Sequence, residues 1–266
     1  MLAPAEKARF DDAGFVVLEE DPGFASWLST ARLAADRILA DPAQRRRNMA
    51  CDGTWFVGVD ALPNDASGML HGVALKSRAL VAMNRRWGRL PLHRAQLSVT
   101  FPGYPRPRDG ESEGAFRYRV KRDAAHVDGL LPVGPRRRRM LKEPHAFILG
   151  FPLNPCTAET APLVVWPGSH VLLGRAFRKT LAAHPDAHRQ AVDLTEIYQR
   201  ARRRVFSELT RLPVVACPGQ SILLHRHLLH GVGPWFAGAS DPGGGRRIAY
   251  FRPCLPSIAP WIDARC

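Results

Sequence analysis

Residues 218–235, PGQSILLHRHLLHGVGPW, open on a Pro-Gly break, continue through a short apolar run and end in His225, His227 and His230, the last followed by glycine. The run SILLHRH (221–227) is too short for a helix of ordinary length and reads as a strand. It has company. From about residue 92 onward the chain repeats this grammar, with AQLSVTF (95–101), FRYRV (116–120), HAFILGFPL (145–153), PLVVWP (162–167), LPVVACP (212–218) and RIAYFRP (247–253) separated by Pro and Gly. Short β-type runs at this spacing predict a sandwich or barrel.

The remainder of the chain frames that β region. Residues 4–12 and 23–40 have helical character, the second segment setting Phe24, Trp27, Leu28, Ala31, Ala34, Ala35, Ile38 and Leu39 near one face. Between them GFVVLEE (14–20) reads as a strand. A polar, helix-compatible insertion at about 172–210 interrupts the β runs, and PGYPRPRDGESEG (102–114) is the most loop-like stretch. The expected organisation is one domain over 1–266, with a helical N-terminal part at about 1–90 and a β core at about 91–266.

The formal charge is +14, and because only five of the 38 basic residues are lysine, arginine carries nearly all of it. Such charge attracts nucleic acid, anionic surfaces and small anions alike, without choosing among them. The five cysteines, Cys51, Cys156, Cys217, Cys254 and Cys266, are odd in number and lack a C-x-x-C pair, which argues against a disulfide framework and a cysteine zinc site. The acidic N-terminus is unlike a signal peptide and no apolar run reaches membrane-spanning length, so a cytoplasmic location is expected.

His126-Val127-Asp128 carries the clearest chemical signal. Alternate strand residues face the same way, so the imidazole and the carboxylate can reach one metal ion together. An H-x-D alone is weak evidence. A second one occurs at His184-Pro185-Asp186, but it lies in the polar insertion, where the proline disfavours a central strand.

Taken in order, FDDAGFVVLEE (10–20), the HVD, LNPCTAETAPLVVWPGSH (153–170), GQSILLHRHLLHGVGPW (219–235) and RRIAYFRP (246–253) resemble the phytanoyl-CoA dioxygenase type of iron(II)- and 2-oxoglutarate-dependent oxygenases over nearly the whole chain. The resemblance implies a mainly β fold, a double-stranded β-helix of jelly-roll or cupin type, flanked by N-terminal and inserted helices. It implies iron(II), 2-oxoglutarate as co-substrate and O2, with His126, Asp128 and His230 as the metal ligands. His225 and His227 compete for the third place, and the histidine-glycine closing motif selects His230. The 2-oxoglutarate carboxylate is assigned to Arg247 by an arginine-x-alanine pattern, and strand alternation puts Arg246 on the opposite face. Gln96 and Thr100, which alternate with Ser98 on one strand, are assigned to the co-substrate wall by resemblance; the same alternation fits a strand facing water. Where relatives have a serine two residues after the histidine, this chain has Val232. Trp166, Ser169 and His170 are assigned to a sheet-closing turn without chemistry.

By the same resemblance, whose halogenating relatives have a small residue in place of the carboxylate, Asp128 favours hydroxylation, with release of succinate and CO2, over halogenation. Arg136, Arg137, Arg138 and Arg139 follow the HVD on an expected loop bounded by Gly134 and Pro135, either as a solvated charge run or as a handle for an anionic small-molecule substrate. Two other classes stand beside a small-molecule hydroxylase. A nucleic-acid-directed oxygenase would need aromatic platforms interleaved with the charge, which are not evident. A non-enzymatic anion- or nucleic-acid-binding protein on a degenerate jelly roll is disfavoured by the intact ligand set.

Overall fold

The computed structural model describes residues 2–241 and 243–263. In chain order the elements are α1 (Pro4–Ala13), β1 (Phe15–Glu19), α2 (Ala25–Ala40), α3 (Pro42–Asn48), β2 (Met49–Ala50), β3 (Trp55–Gly58), α4 (Arg78–Trp87), β4 (Gln96–Thr100), α5 (Glu113–Lys121), β5 (Leu130–Val133), β6 (Arg138–Leu141), β7 (Phe147–Pro152), β8 (Leu163–Val165), α6 (Ser169–Leu181), α7 (Thr195–Glu208), β9 (Leu212–Val214), β10 (Gln220–His225), β11 (His230–Val232), β12 (Arg246–Phe251) and α8 (Ala259–Ile262).

Seven strands form an antiparallel sheet in the order β1-β10-β7-β12-β4-β3-β2, and β11-β8-β9 form a smaller one. Their facing sides share a core in which Phe15, Ile148, Ile222, Leu224 and Ile248 of the large sheet meet Leu163, Val165 and Val214 of the small one. Two sheets closed over an apolar interior are the sandwich expected from the strand grammar and the jelly roll implied by the resemblance. The outer face of the large sheet presents the alternate residues, Leu97, Val99, Leu149, Phe151, Ala249 and Phe251, to a cluster that includes Trp27, Ala31 and Ala35 of α2. Period-2 alternation in the strands and the apolar stripe of α2 therefore fix the same layer boundary from both sides.

Three expectations change. FRYRV belongs to α5, not to a strand: Ser112 Oγ accepts from the backbone N–H of Ala115 at 3.3 Å, capping a helix that begins at Glu113. Over five residues the alternation F-R-Y-R-V fits either period, and the cap decides. Beside the expected β1, the first 90 residues also contribute β2 and β3 to the large sheet. Finally, the arginine run is not a loop throughout, since Arg138 and Arg139 lie on β6, paired with Val133 and Pro132 of β5.

The expected insertion is helical, comprising α6, a short 3-10 turn at Asp186–Ala191 and α7. The loop at 102–114 is anchored by Tyr104, which is 2% exposed, and by the Glu111–Arg119 pair. Cys51, Cys156, Cys217 and Cys254 are free thiols, while Cys266 lies outside the described residues. Among the described residues no helix is long and apolar enough to cross a membrane.

Candidate metal centre

Two backbone segments meet edge to edge at the site. His126 N–H donates to His230 O at 2.8 Å and His230 N–H donates to His126 O at 3.1 Å, so the two histidines form one antiparallel bridge. That approach requires glycine on the far side of each ligand pair. A Cβ on Gly231 would lie 2.1 Å from Asp123 O, and a Cβ on Gly129, which has φ +83°, would lie 2.1 Å from Glu143 O. The glycines after His230 and after Asp128 thus have a steric cause.

The bridge brings together the donor atoms of His126, Asp128 and His230, all within 4.8 Å of one another. The ring centroids of His126 and His230 are 4.6 Å apart. Asp128 Oδ1 is 3.1 Å from His126 Nε2 and 3.9 Å from His230 Nε2. Each imidazole turns its other nitrogen to a carbonyl, His126 Nδ1 to Ala124 O and His230 Nδ1 to Leu228 O, both at 3.0 Å. A carbonyl only accepts, so Nδ1 carries the proton and Nε2 offers its lone pair to the site. Two lone pairs and a carboxylate oxygen aimed at one another repel unless a cation lies between them, and this donor set fits a divalent metal.

Protonation supports the same use. Burial opposes the charge on Asp128, but His126, which donates to it from Nε2 only when its ring carries both protons, and the nearby His230 and Arg252 hold its carboxyl well below the usual range. Burial, with the adjacent His126, pushes His230 down to about 4, which keeps its imidazole neutral and able to ligate near pH 7.

Neighbouring elements pin both segments. The Tyr198 hydroxyl of α7 accepts from Val127 N–H at 3.0 Å, between two of the ligands, and Arg202 donates to Ala125 O at 2.9 Å. On the other segment, Ser169 Oγ accepts from Leu229 N–H at 2.9 Å, next to His230. Ser169 therefore positions the segment carrying His230, a role missing from the turn assigned to it. Arg252 lies 3.5 Å from Asp128 and donates to Gln96 Oε1 at 2.7 Å.

The triad stands where two cavity lobes join. One, of about 330 Å3, runs into the jelly roll past Gln96, Ser98, Ile148, Val232 and Tyr250. The other, of about 390 Å3, opens towards α5, β6 and α7.

The structure separates the two candidate arginines in the opposite sense to the sequence expectation. Arg247 lies on the outer face with Ala249 and Phe251, where its guanidinium is paired with Asp36 of α2 and donates to Gly243 O and Gly244 O. Arg246 shares the inner face with Ile248 and Tyr250 and is 1% exposed, with Nε and Nη2 lacking any partner among the described residues. Thr100 is directly opposite Arg246 on β4 and is equally buried, its Oγ1 also unpartnered. The alternation holds, but the tripeptide match selects the arginine whose side chain lies on the outer face.

His225 and His227 are buried away from the triad. His225 Nδ1 accepts from His227 N–H at 3.1 Å, and His227 packs edge-on to Trp261. The second H-x-D is remote as well, with Asp186 exposed and paired to Arg189. Of the arginine run, Arg136 and Arg137 are exposed on the β5–β6 turn and Arg138 pairs with Asp193 at 3.0 Å; only Arg139 lines a lobe.

No family model and no curated protein sequence matches the chain. Solved structures do. The non-heme, α-ketoglutarate-dependent carbocyclase SnoK from nogalamycin biosynthesis aligns over 97% of this chain and 88% of its own, with TM-score 0.51 and 14% identity. The non-heme, α-ketoglutarate-dependent epimerase SnoN from the same biosynthesis covers 97% and 87%, with TM-score 0.51 and 16% identity. Iron-bound EctD from S. alaskensis covers 94% and 75%, with TM-score 0.51 and 18% identity. The chain shares the fold of non-heme, 2-oxoglutarate-dependent enzymes. At such identities the likeness is one of fold, and a carbocyclase and an epimerase on the same scaffold leave the reaction to the site.

Proposed function

We propose that this chain is an iron(II)- and 2-oxoglutarate-dependent oxygenase that hydroxylates a small organic molecule, releasing succinate and CO2. The observation carrying the proposal is the convergence of His126, Asp128 and His230, with both Nε2 lone pairs free, at the mouth of a jelly-roll interior that also buries an unpaired guanidinium. Two imidazoles and one carboxylate on one face suit iron(II) and leave open positions. Bound there, iron(II) with 2-oxoglutarate and O2 supplies the oxidising power for attack on a C–H bond.

The residues divide the remaining work. His126 and His230 enter as neutral ligands and Asp128 as an anion, so the three offset one of the two metal charges. Arg246 supplies a permanent cation where water cannot reach, and a carboxylate matches it in charge and bidentate geometry. The remote carboxylate of 2-oxoglutarate is assigned to Arg246 in place of Arg247, with the Thr100 hydroxyl beside it. Gln96 acts through Arg252, which steadies Asp128. Val232 and Tyr250 give the inner lobe an apolar wall that excludes water from the reacting centre.

The test is succinate formation from 2-oxoglutarate by purified protein supplied with iron(II) and O2. Slow turnover is expected without added substrate, lost in His126→Ala, Asp128→Ala and His230→Ala with the fold retained by circular dichroism. Wild-type metal affinity in all three variants, or its loss in His184→Ala, would place the metal elsewhere.

A further inference from the structure

The outer lobe has a chemistry that the metal centre does not explain. Its wall holds Arg108, Arg119, Arg122, Arg139, Arg202 and Arg252 against two acids, Asp128 and Glu143. Both acids are engaged, Asp128 with the triad and Arg252, and Glu143 with His145 at 3.2 Å. Arg119 is held in a fork by Glu111, and nearby Asp123 is taken by Arg211 at 2.6 Å. That leaves Arg108, which lies over Trp55, and Arg122, Arg139 and Arg202 with no carboxylate partner among the described residues.

Two of these four lie over one ring. The guanidinium of Arg122 lies 4.3 Å from the centroid of Phe206, and that of Arg202 lies 5.5 Å from it. Arg202 and Phe206 are one helical turn apart on α7, and Arg122 directly follows α5, so the ring fixes cations from two elements side by side. Each has a buried Nε–H without an acceptor among the described residues, as has Nη1 of Arg119. Adjacent like charges repel, and buried donors without acceptors are costly. A bound oxyanion offsets both penalties at once.

We infer that the outer lobe is an oxyanion-binding subsite, in which Arg122 and Arg202, with Arg139 beside them, hold a phosphate or carboxylate of the substrate while its body extends past the triad into the apolar inner lobe. The inference deepens the oxygenase proposal by giving the substrate a class, and depends on it only for the fate of the far end. It moves the anion handle from the 136–139 run to Arg122, Arg202 and Arg139. Guanidinium groups favour bidentate recognition of a carboxylate or phosphate. A lobe of about 390 Å3 suits a small molecule.

The test uses metal-free protein, so that it reads the subsite even if the oxygenase proposal fails. Phenyl phosphate, phenylacetate and inorganic phosphate are titrated calorimetrically into wild type, the Arg122→Gln/Arg202→Gln double variant and the Arg136→Gln/Arg137→Gln control. At least one aromatic anion should bind wild type, the first double variant should weaken it more than tenfold, and the control should match wild type. The tighter of phenyl phosphate and phenylacetate identifies the oxyanion.

Because Arg202 also braces Ala125, a second measurement avoids substitution altogether. Phenylglyoxal modification of wild type, mapped by mass spectrometry, should be suppressed at Arg122 and Arg202 by phosphate or phenylacetate, and unchanged at Arg136 and Arg137. No binding of any probe, equal loss in both variants, or absence of site-selective protection overturns the inference. So does an oligonucleotide that outcompetes the small anions with a steep salt dependence, which would make the lobe part of a nucleic-acid surface.

Discussion

Replacing Arg246 by methionine should move two measurements in opposite directions. In the co-substrate-free protein the guanidinium is buried with two nitrogens unpartnered, while methionine fills a similar volume without a charge to desolvate. Exchanging buried ionic groups for apolar ones of similar size commonly stabilises by about 1–4 kcal/mol. At roughly 2–4 °C per kcal/mol for a chain of this size, the melting temperature of Arg246→Met should rise by several degrees. Losing a desolvated carboxylate partner costs on the order of 2–5 kcal/mol, so 2-oxoglutarate affinity should fall roughly 30- to 5,000-fold. Arg247→Met removes an ion pair whose Asp36 partner is 57% exposed, worth at most about 1 kcal/mol, and should leave 2-oxoglutarate affinity unchanged. Scanning fluorimetry without co-substrate and calorimetric 2-oxoglutarate titration of the manganese-loaded protein read the two effects. Loss of 2-oxoglutarate binding in Arg247→Met, or a lower melting temperature with intact binding in Arg246→Met, would refute the assignment.

Three further outcomes follow from the supports around the site. Ser169→Ala strands the buried Leu229 N–H, and should cost about 1–3 kcal/mol in denaturant unfolding and roughly tenfold in iron(II) affinity measured by competition with a chelating dye. Tyr198→Phe removes the acceptor for Val127 N–H, and iron(II) affinity should drop by a similar factor while succinate formation recovers at saturating metal. The third concerns pH. Burial opposes the charge on His145, but its bonds to Cys254 and Glu143 raise it to about 9, above the unfolded value near 6.5. Its stabilisation is fully present below about 6.5 and is lost as pH rises through 9, so the stability gap between wild type and His145→Gln should narrow over that window by at most about 3 kcal/mol. A gap that widens or stays constant would reverse that sign.

Much of the fold was legible because two periods are written plainly. The apolar stripe of α2 and the short strand runs from 95 onward specify which side of each element is buried, and the two sheets follow. The miss at FRYRV arose where five residues satisfy both periods and the cap at Ser112 lay outside the run. β2 and β3 were missed for another reason. They are two and four residues long, and their place in the sheet depends on β4 as a partner.

At the site, legibility tracked how local each requirement is. That His126, Asp128 and His230 come together could be read because their spacing is local, two residues apart on one side and histidine-glycine on the other, and Gly129 and Gly231 show the steric reason for the adjacent glycines. Choosing between Arg246 and Arg247 needed the absolute facing of β12, which alternation alone leaves open by one residue. That facing was in fact encoded in the sequence. Ala249 and Phe251 belong with the outer apolar layer against α2, so Arg247 shares their side and Arg246 must turn inward. The arginines of the outer lobe had no such local signal. Arg122 and Arg202 are 80 residues apart and come together only because Phe206 of the inserted helix packs against the segment leading to His126. The run of four arginines attracted attention because it is contiguous, yet contiguity on a hairpin spreads charge into solvent, and it takes tertiary packing to concentrate charge around one anion.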